Sequence, residues 1–259
     1  MASNHPGRDA WRSLLDAWQE AERRGQHEEA FDLLLALVAA RQDSWSAHPE
    51  GKPTRSDLHL LDRLGALLQE KGRHEDALRI YGAARQYATE QEDEYSHKYF
   101  ALHGVHSCIA LLDFPSAAQV LCDVLSLPQD QSLPHDPAAA IAAAARLTTP
   151  RALDLDVHLL RVEAYLALSR YLAACGKLQA ADLALGHVLV MLREHDVPSV
   201  SIVDVAIWLA EVRLDRGDFA GVEALLPTGE QEQEAPLLRM QWRCIEGQLR
   251  HLQGRFSTA

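Results

Sequence analysis

The side chains best placed to do chemistry in this 259-residue chain are His103 and His106, with Cys108 close behind. A spacing of three puts two imidazoles one helical turn apart, where they could share a transition metal. A tetrahedral site needs a third and a fourth ligand, and none is visible at ligand spacing. The pair is therefore read as core or groove histidines, and no metal is expected. The sequence also lacks a GxSxG elbow, an HExxH helix, a phosphate loop and a GxGxxG turn. Glu75 and Asp76 are adjacent acids at a turn, where carboxylates favour a helix N-terminus. Arg161 and Glu163 stand two apart and cannot face one another on a helix. No catalytic residue and no cofactor is expected, and an enzyme with a site between helices is the least supported reading.

Whatever the functional side chains do, a repeated turn must position them. Gly72-Arg73-His74-Glu75-Asp76-Ala77 returns, with substitutions, as Gly25 to Ala30, Leu112 to Ala117, Gly176 to Ala181, Gly217 to Val222 and Gly254 to Ala259. Each copy follows an apolar periodic run. Glycine in the first place ends a helix because it enters the left-handed region without steric cost, and a His or aromatic residue two positions on can plug the turn. The alanine that closes the Gly72 copy lets two helices approach closely. Around it, Leu61, Leu64, Gly65 and Leu68 lie upstream, and Tyr81 and Ala84 downstream. These are helical spacings on two helices that face each other.

At these residues the chain resembles the tetratricopeptide repeat (TPR), a helical hairpin of about 34 residues with large, small and aromatic positions in that order. The likeness is good around Ala77. It is partial around Ala30, with Leu14, Ala17, Ala21, Leu34 and Leu37, because Trp18 stands where a small residue belongs. It is fair around Ala181, with Tyr165, Leu168, Ser169, Leu172, Leu185 and Val188. The six copies cover nearly the whole chain. The resemblance implies an all-α fold: a right-handed α–α superhelix, or TPR-like solenoid, of about five to six helical hairpins over residues 9–259, after a flexible lead at 1–8. Every interval between first positions exceeds the consensus unit, so helices or connections are longer. The longest, from Leu112 to Gly176, holds an insertion at 128–150, in which Asp136-Pro137 caps a short extra helix from Ala138 to Leu147.

The resemblance also implies where a partner would bind. Stacked hairpins present the first helix of each pair on a concave surface. In the Ala77 register the positions pointing there include Arg12, Asp16, Gln19, Arg23, His59, Asp62, Arg63, Tyr99, His103, His106, Glu163, Arg170, Asp204, Trp208 and Glu211. Such a mixed-charge groove with aromatic anchors suits an extended segment or a helix of another protein, or of another domain of the same polypeptide. A TPR subclass that clamps C-terminal carboxylates uses Lys and Asn at fixed groove positions. Leu15 and Gln19 stand there, so clamping of that kind is not expected. The expected function is a non-catalytic protein–protein interaction scaffold that regulates or recruits an effector. The alternative is a regulatory domain that senses a peptide or small molecule.

Composition bounds these expectations. A formal net charge of −12 disfavours a sequence-independent grip on phosphate backbones, so no nucleic acid is expected as a direct partner. No uninterrupted apolar run reaches the length of a membrane span, and the start lacks the segments of a signal peptide, so the cytoplasm is the expected home. Lysine is scarce beside arginine, which suggests a high-GC bacterial genome. Cys108, Cys122, Cys175 and Cys244 are far apart in apolar helical contexts and are read as buried, reduced thiols. The first helix is expected from near Asp9, and its partner from about Glu28 to Gln42. A polar connection carrying Trp45 should follow, with Ser56-Asp57 capping the third helix. Ala259 occupies the small position of a turn that lacks its second helix, so the chain is expected to be the N-terminal part of a longer polypeptide, or to borrow that helix.

Overall fold

In a computed structural model of the chain, the Gly72 turn closes as the spacing requires. Gly72 sits at φ 70°, its N–H donates to the Gln69 carbonyl at 2.9 Å, and the Arg73 N–H reaches back to Leu68 at 2.8 Å. This crossed pair is the Schellman closure, which satisfies carbonyls that the helix end leaves open. The same pair recurs at Gly25, Gly176 and Gly217. Leu112 takes the glycine's place in the sixfold pattern and adopts φ 60°, a conformation that opposes its Cβ. Residues 6–47, 55–127, 133, 136–149, 154–195, 201–227 and 236–254 are described. Among them every regular element is an α-helix, and the fold is all-α and TPR-like.

The chain divides into two units, Met1–Leu111 and Leu112–Ala259. The first contains α1 (Pro6–Arg23), α2 (His27–Ala47), α3 (Arg55–Glu70), α4 (His74–Glu90) and α5 (Glu94–Ala110). Its helices pack in sequence order, α1 on α2, α2 on α3, α3 on α4 and α4 on α5. Ala77 and Ala84 have no accessible surface, and Tyr81 and Leu64 retain 1%. Gly65 shows why a small residue is needed on α3, because a Cβ there would stand 2.4 Å from Tyr81 Cε1. Trp18 is buried in the same core despite occupying a small-residue position.

The second unit contains α6 (Phe114–Leu125), α7 (Pro137–Ala145), α8 (Asp154–Ala174), α9 (Leu178–Glu194), α10 (Ile202–Arg216), α11 (Phe219–Glu223) and α12 (Pro236–Leu252). Asp136 caps α7 by accepting from the Ala139 N–H at 3.0 Å, with Pro137 in the first turn where its missing donor costs nothing. The inserted helix is tied to α8 through its own and neighbouring carbonyls. Tyr165 Oη donates to Ile141 O at 3.4 Å, Arg161 Nε to Leu147 O at 2.8 Å, and Tyr171 Oη to Leu133 O at 3.0 Å. Ala117, not Ala118, fills the small position after the Leu112 turn and is fully buried. Ile207, Ala210 and Leu214 of α10 meet Trp242, Ile245 and Leu249 of α12 in a separate cluster.

Several boundaries differ from expectation. α1 begins at Pro6, ahead of Asp9 and inside the stretch expected as a lead. α2 continues to Ala47, past Gln42, because no Gly or Pro interrupts the chain before Pro49; Trp45 therefore belongs to a helix and not to a loop. α3 starts at Arg55, which places Ser56-Asp57 in its first turn instead of at its cap, and Asp57 is buried there. Cys108 and Cys122 are buried, but Cys175 is only partly so and Cys244 is exposed, correcting the reading of four buried thiols. On α12 the buried stripe is Trp242, Ile245 and Leu249, and helical phasing leaves Cys244 outside it. The turn that ends at Ala259 lies outside the described residues.

Candidate partner-binding face

In the first unit α1, α3 and α5 are joined side by side through polar contacts. Arg63 Nη2 of α3 donates to the Glu22 carboxylate of α1 at 3.2 and 3.3 Å. Tyr99 Oη of α5 donates to Asp62 Oδ2 of α3 at 3.2 Å. Gln69 Nε2 donates to the His103 carbonyl at 2.9 Å and to Ser107 Oγ at 2.8 Å. Along α5 the rings of Tyr95, Tyr99 and His103 form a half-buried ladder, with centroids 6.0 and 4.4 Å apart. A carboxylate beside stacked aromatic faces is a surface that can hold a cation or an aromatic side chain.

The expected groove residues divide accordingly. Asp62, Tyr99 and His103 are brought together, whereas Arg63 reaches Glu22 of α1. His106 turns elsewhere, toward His74 of α4, with ring centroids 6.4 Å apart. His103 and His106 thus face different neighbours, and Cys108 is buried. Among the described residues no three His, Cys, Asp or Glu side chains could hold a metal ion. Asp16, Gln19 and His59 are exposed, and Arg23 is exposed beside Glu20 in an i,i+3 ion pair. Arg12 lies on α1, and its side chain is outside the described residues. Sequence reasoning missed Glu22, Gln69 and Tyr95. Tyr95 carried a usable signal, since it stands one turn before Tyr99 on the same face.

Behind this face α4 and α5 are linked by a closed hydrogen-bond chain. Thr89 Oγ1 donates to Arg85 O at 2.9 Å, so its lone pair accepts from His97 Nδ1–H, also at 2.9 Å. His97 Nε2 is then left to accept from Arg85 Nη2 at 3.5 Å. This arrangement needs a neutral imidazole. Burial holds the His97 pKa below its ordinary value, and the Arg85 charge adds to the effect.

In the second unit α8 and α10 meet through Arg170, whose guanidinium lies over the Trp208 ring at 4.8 Å. Glu163, two turns before Arg170 on the same face of α8, is half-buried. Burial raises its carboxyl to about 7, and the Arg170 charge offsets only part of that rise. On α10 the residues Asp204, Trp208, Glu211 and Asp215 follow one another at helical spacing, and the three acids are exposed. The protein around Glu211 nevertheless raises its carboxyl, with the Asp215 charge adding to the rise. The basic residues of α10 turn the other way, where Arg213 Nε donates to Asp182 Oδ1 of α9 at 3.0 Å and Arg216 joins the same carboxylate. Carboxyls perturbed by their surroundings cluster at functional sites.

Away from these faces, a cavity of about 450 Å³ opens between α7 and the α8–α9 turn. Pro137, Ala138, Ile141, Leu178 and Leu183 make its wall mostly apolar, and Lys177 adds a charge.

No family model matches the sequence, and no curated protein matches it. Among solved structures, BtubC (BKLC) from P. vanneervenii is similar at a TM-score of 0.52 and 14% identity, over 99% of this chain and 96% of that one. A kinesin light chain-like protein of Podosopora anserina with nearly identical TPR-like repeats gives 0.46 and 19%, over 94% and 97%. A tetratricopeptide repeat protein from Parabacteroides merdae gives 0.38 and 12%, over 95% and 88%. These are likenesses of fold. With its Schellman-closed hairpins and small-residue helix contacts, the chain has a TPR-like helical repeat fold.

Proposed function

We propose that this array is a non-catalytic scaffold that holds a segment of another protein, or of another domain of its own polypeptide, against the outward stripes of its first helices. Holding that segment would recruit or regulate an effector. The observation that carries the reading is the pairing of half-buried aromatic residues with charged groups on adjacent first helices. Tyr99 stands beside Asp62 in one unit, and Trp208 beneath Arg170 in the other. Half-buried aromatic and Arg residues are the side chains that most often carry binding energy at protein interfaces. A peptide- or small-molecule-sensing role is the second reading, and the cavity between α7 and the α8–α9 turn is what favours it, being mostly apolar and within the usual size of ligand sites.

Selection of a random dodecapeptide library on the full 259-residue chain tests the scaffold. Enriched peptides should lose binding to Tyr99→Ala or Trp208→Ala and keep it with Arg79→Ala, on the exposed face of α4. Peptides indifferent to both aromatic substitutions would overturn the reading. Peptides lost on Leu183→Ser alone would move the site to the cavity.

A further inference from the structure

The α10 face places an aromatic ring among carboxylates and sends its own basic residues elsewhere. Asp204, Glu211 and Asp215 are exposed on one stripe, whereas Arg213 and Arg216 are committed to Asp182. Trp208 lies half-buried in the middle of that stripe, and the Arg170 guanidinium on its ring at 4.8 Å shows that these surroundings suit a cation. We infer that the outward face of α10, with Glu163 of α8 at its edge, docks a segment of a partner protein bearing alternate arginine or lysine side chains. The inference rests on the proposed scaffold role and names the chemistry of the partner.

Charge complementarity selects this occupant over an acidic one. Arg170 is the cation on this face, and it is shared between the Trp208 ring and the Glu163 charge. An incoming carboxylate would have to compete for it beside three exposed acids, in a chain of net charge −12. An incoming guanidinium meets Glu211 and Asp215 one turn apart, whose mutual repulsion it relieves. The helices packed against α8 and α10 carry the following charged and titratable groups: α6 has Cys122 and Asp123, and α11 has Glu223. α7 carries no titratable side chain. On α9, Asp182 is satisfied by arginines and His187 stacks on Tyr165. On α12, Arg250 pairs with Glu246, and Arg239 and Arg243 are exposed. A cation that docks beside Glu163 and Glu211 favours their ionised forms, so its binding expels protons and tightens as pH rises.

The test uses the full chain and three fluorescein-labelled nonapeptides that alternate leucine with arginine, glutamine or glutamate, read by anisotropy at physiological salt. The arginine peptide should bind at least about tenfold more tightly than the glutamine peptide, and more tightly at pH 8 than at pH 6. Glu211→Gln/Asp215→Asn and Trp208→Leu should each weaken it about fivefold or more, while Glu75→Gln/Asp123→Asn, which removes the same charge elsewhere, should not. Equal weakening by the two charge-removing doubles would reduce the effect to net charge and overturn the inference. A glutamate or glutamine peptide that binds most tightly and is released by Trp208→Leu would overturn the cationic partner while leaving the scaffold reading intact. If no peptide responds to Trp208→Leu, the inference falls, and the scaffold reading then stands or falls on Tyr99→Ala.

Discussion

Gly65→Ala would test the packing on which every other feature depends. The added Cβ would stand 2.4 Å from Tyr81 Cε1, 2.5 Å from Cζ and 2.9 Å from Oη. Restoring an ordinary carbon contact near 3.5 Å requires the ring to withdraw by roughly 1 Å. The ring has little room to do so: it is 1% exposed, its hydroxyl reaches Gln69 Oε1, and Phe100 and His103 lie 6.3 and 5.7 Å away by centroid. Overpacking of this kind costs about 1–3 kcal/mol, and the better helix propensity of alanine returns up to about 1. The net expectation is a loss of about 1–2 kcal/mol, read as a lower urea midpoint by circular dichroism. Gly82→Ala in α4 is the control, because its Cβ would meet nothing within 4 Å, and it should gain about 0.5–1 kcal/mol. Tyr81→Leu should largely cancel the cost of Gly65→Ala, since the two positions share one contact. If Gly65→Ala stabilises as much as Gly82→Ala, the α3–α4 contact does not run through this glycine and the hairpin register is wrong.

Leu112→Gly should raise stability by a few tenths to about 1 kcal/mol in the same assay, because relief of the left-handed leucine exceeds the extra entropy of an unfolded glycine. Ala77→Phe should cost about 1–3 kcal/mol, since Ala77 has no accessible surface to accept the ring. The two units should answer pH in opposite directions. Glu163 is raised from 4.5 to about 7 in the fold, so its contribution is complete below 4.5 and is lost as pH rises toward 7. Glu163→Gln should therefore unfold later than the parent at pH 8, with the difference closing by pH 5. His97 is lowered by burial and Arg85, so its contribution is present above 6.5 and is lost as pH falls through the lowered value. Hydrogen-exchange protection factors in α4 and α5, referred to the intrinsic rate at each pH, should fall on acidification, and His97→Gln should flatten that response.

The repeated turns were legible because the chain must enter the left-handed region at fixed places, and Gly72, Gly176 and Gly217 announce it. Gly65, Ala77 and Tyr81 were legible because a small residue has to meet an aromatic ring across the hairpin. The end of α2 was not. Polar residues after Gln42 look like a connection, but polarity does not break a helix when no Gly or Pro is present. Trp18 defeated the pattern at a small position because the first hairpin has room to bury it. On the candidate face, Arg170 and Trp208 were named separately, and their stacking could not be, since it depends on how α10 is set against α8. Glu22 with Arg63 is the same case, a pair 41 residues apart in sequence.

That division follows from how a repeat helix is used. On α8, Leu160, Ala164, Leu168 and Leu172 are buried, and this stripe answers only to the neighbouring helices. Glu163 and Arg170 lie off that stripe, where the repeat prescribes no side chain. The packing stripe is what a distant structure can share, and a fold match over 99% of the chain at 14% identity requires no more than that. The outward stripe is free to carry any chemistry, and the repeat pattern says nothing about it. Substitutions at Glu211 or Asp215, both exposed, should accordingly alter what is bound far more than whether the chain folds. Substitutions at Leu168 or Leu172 should do the reverse.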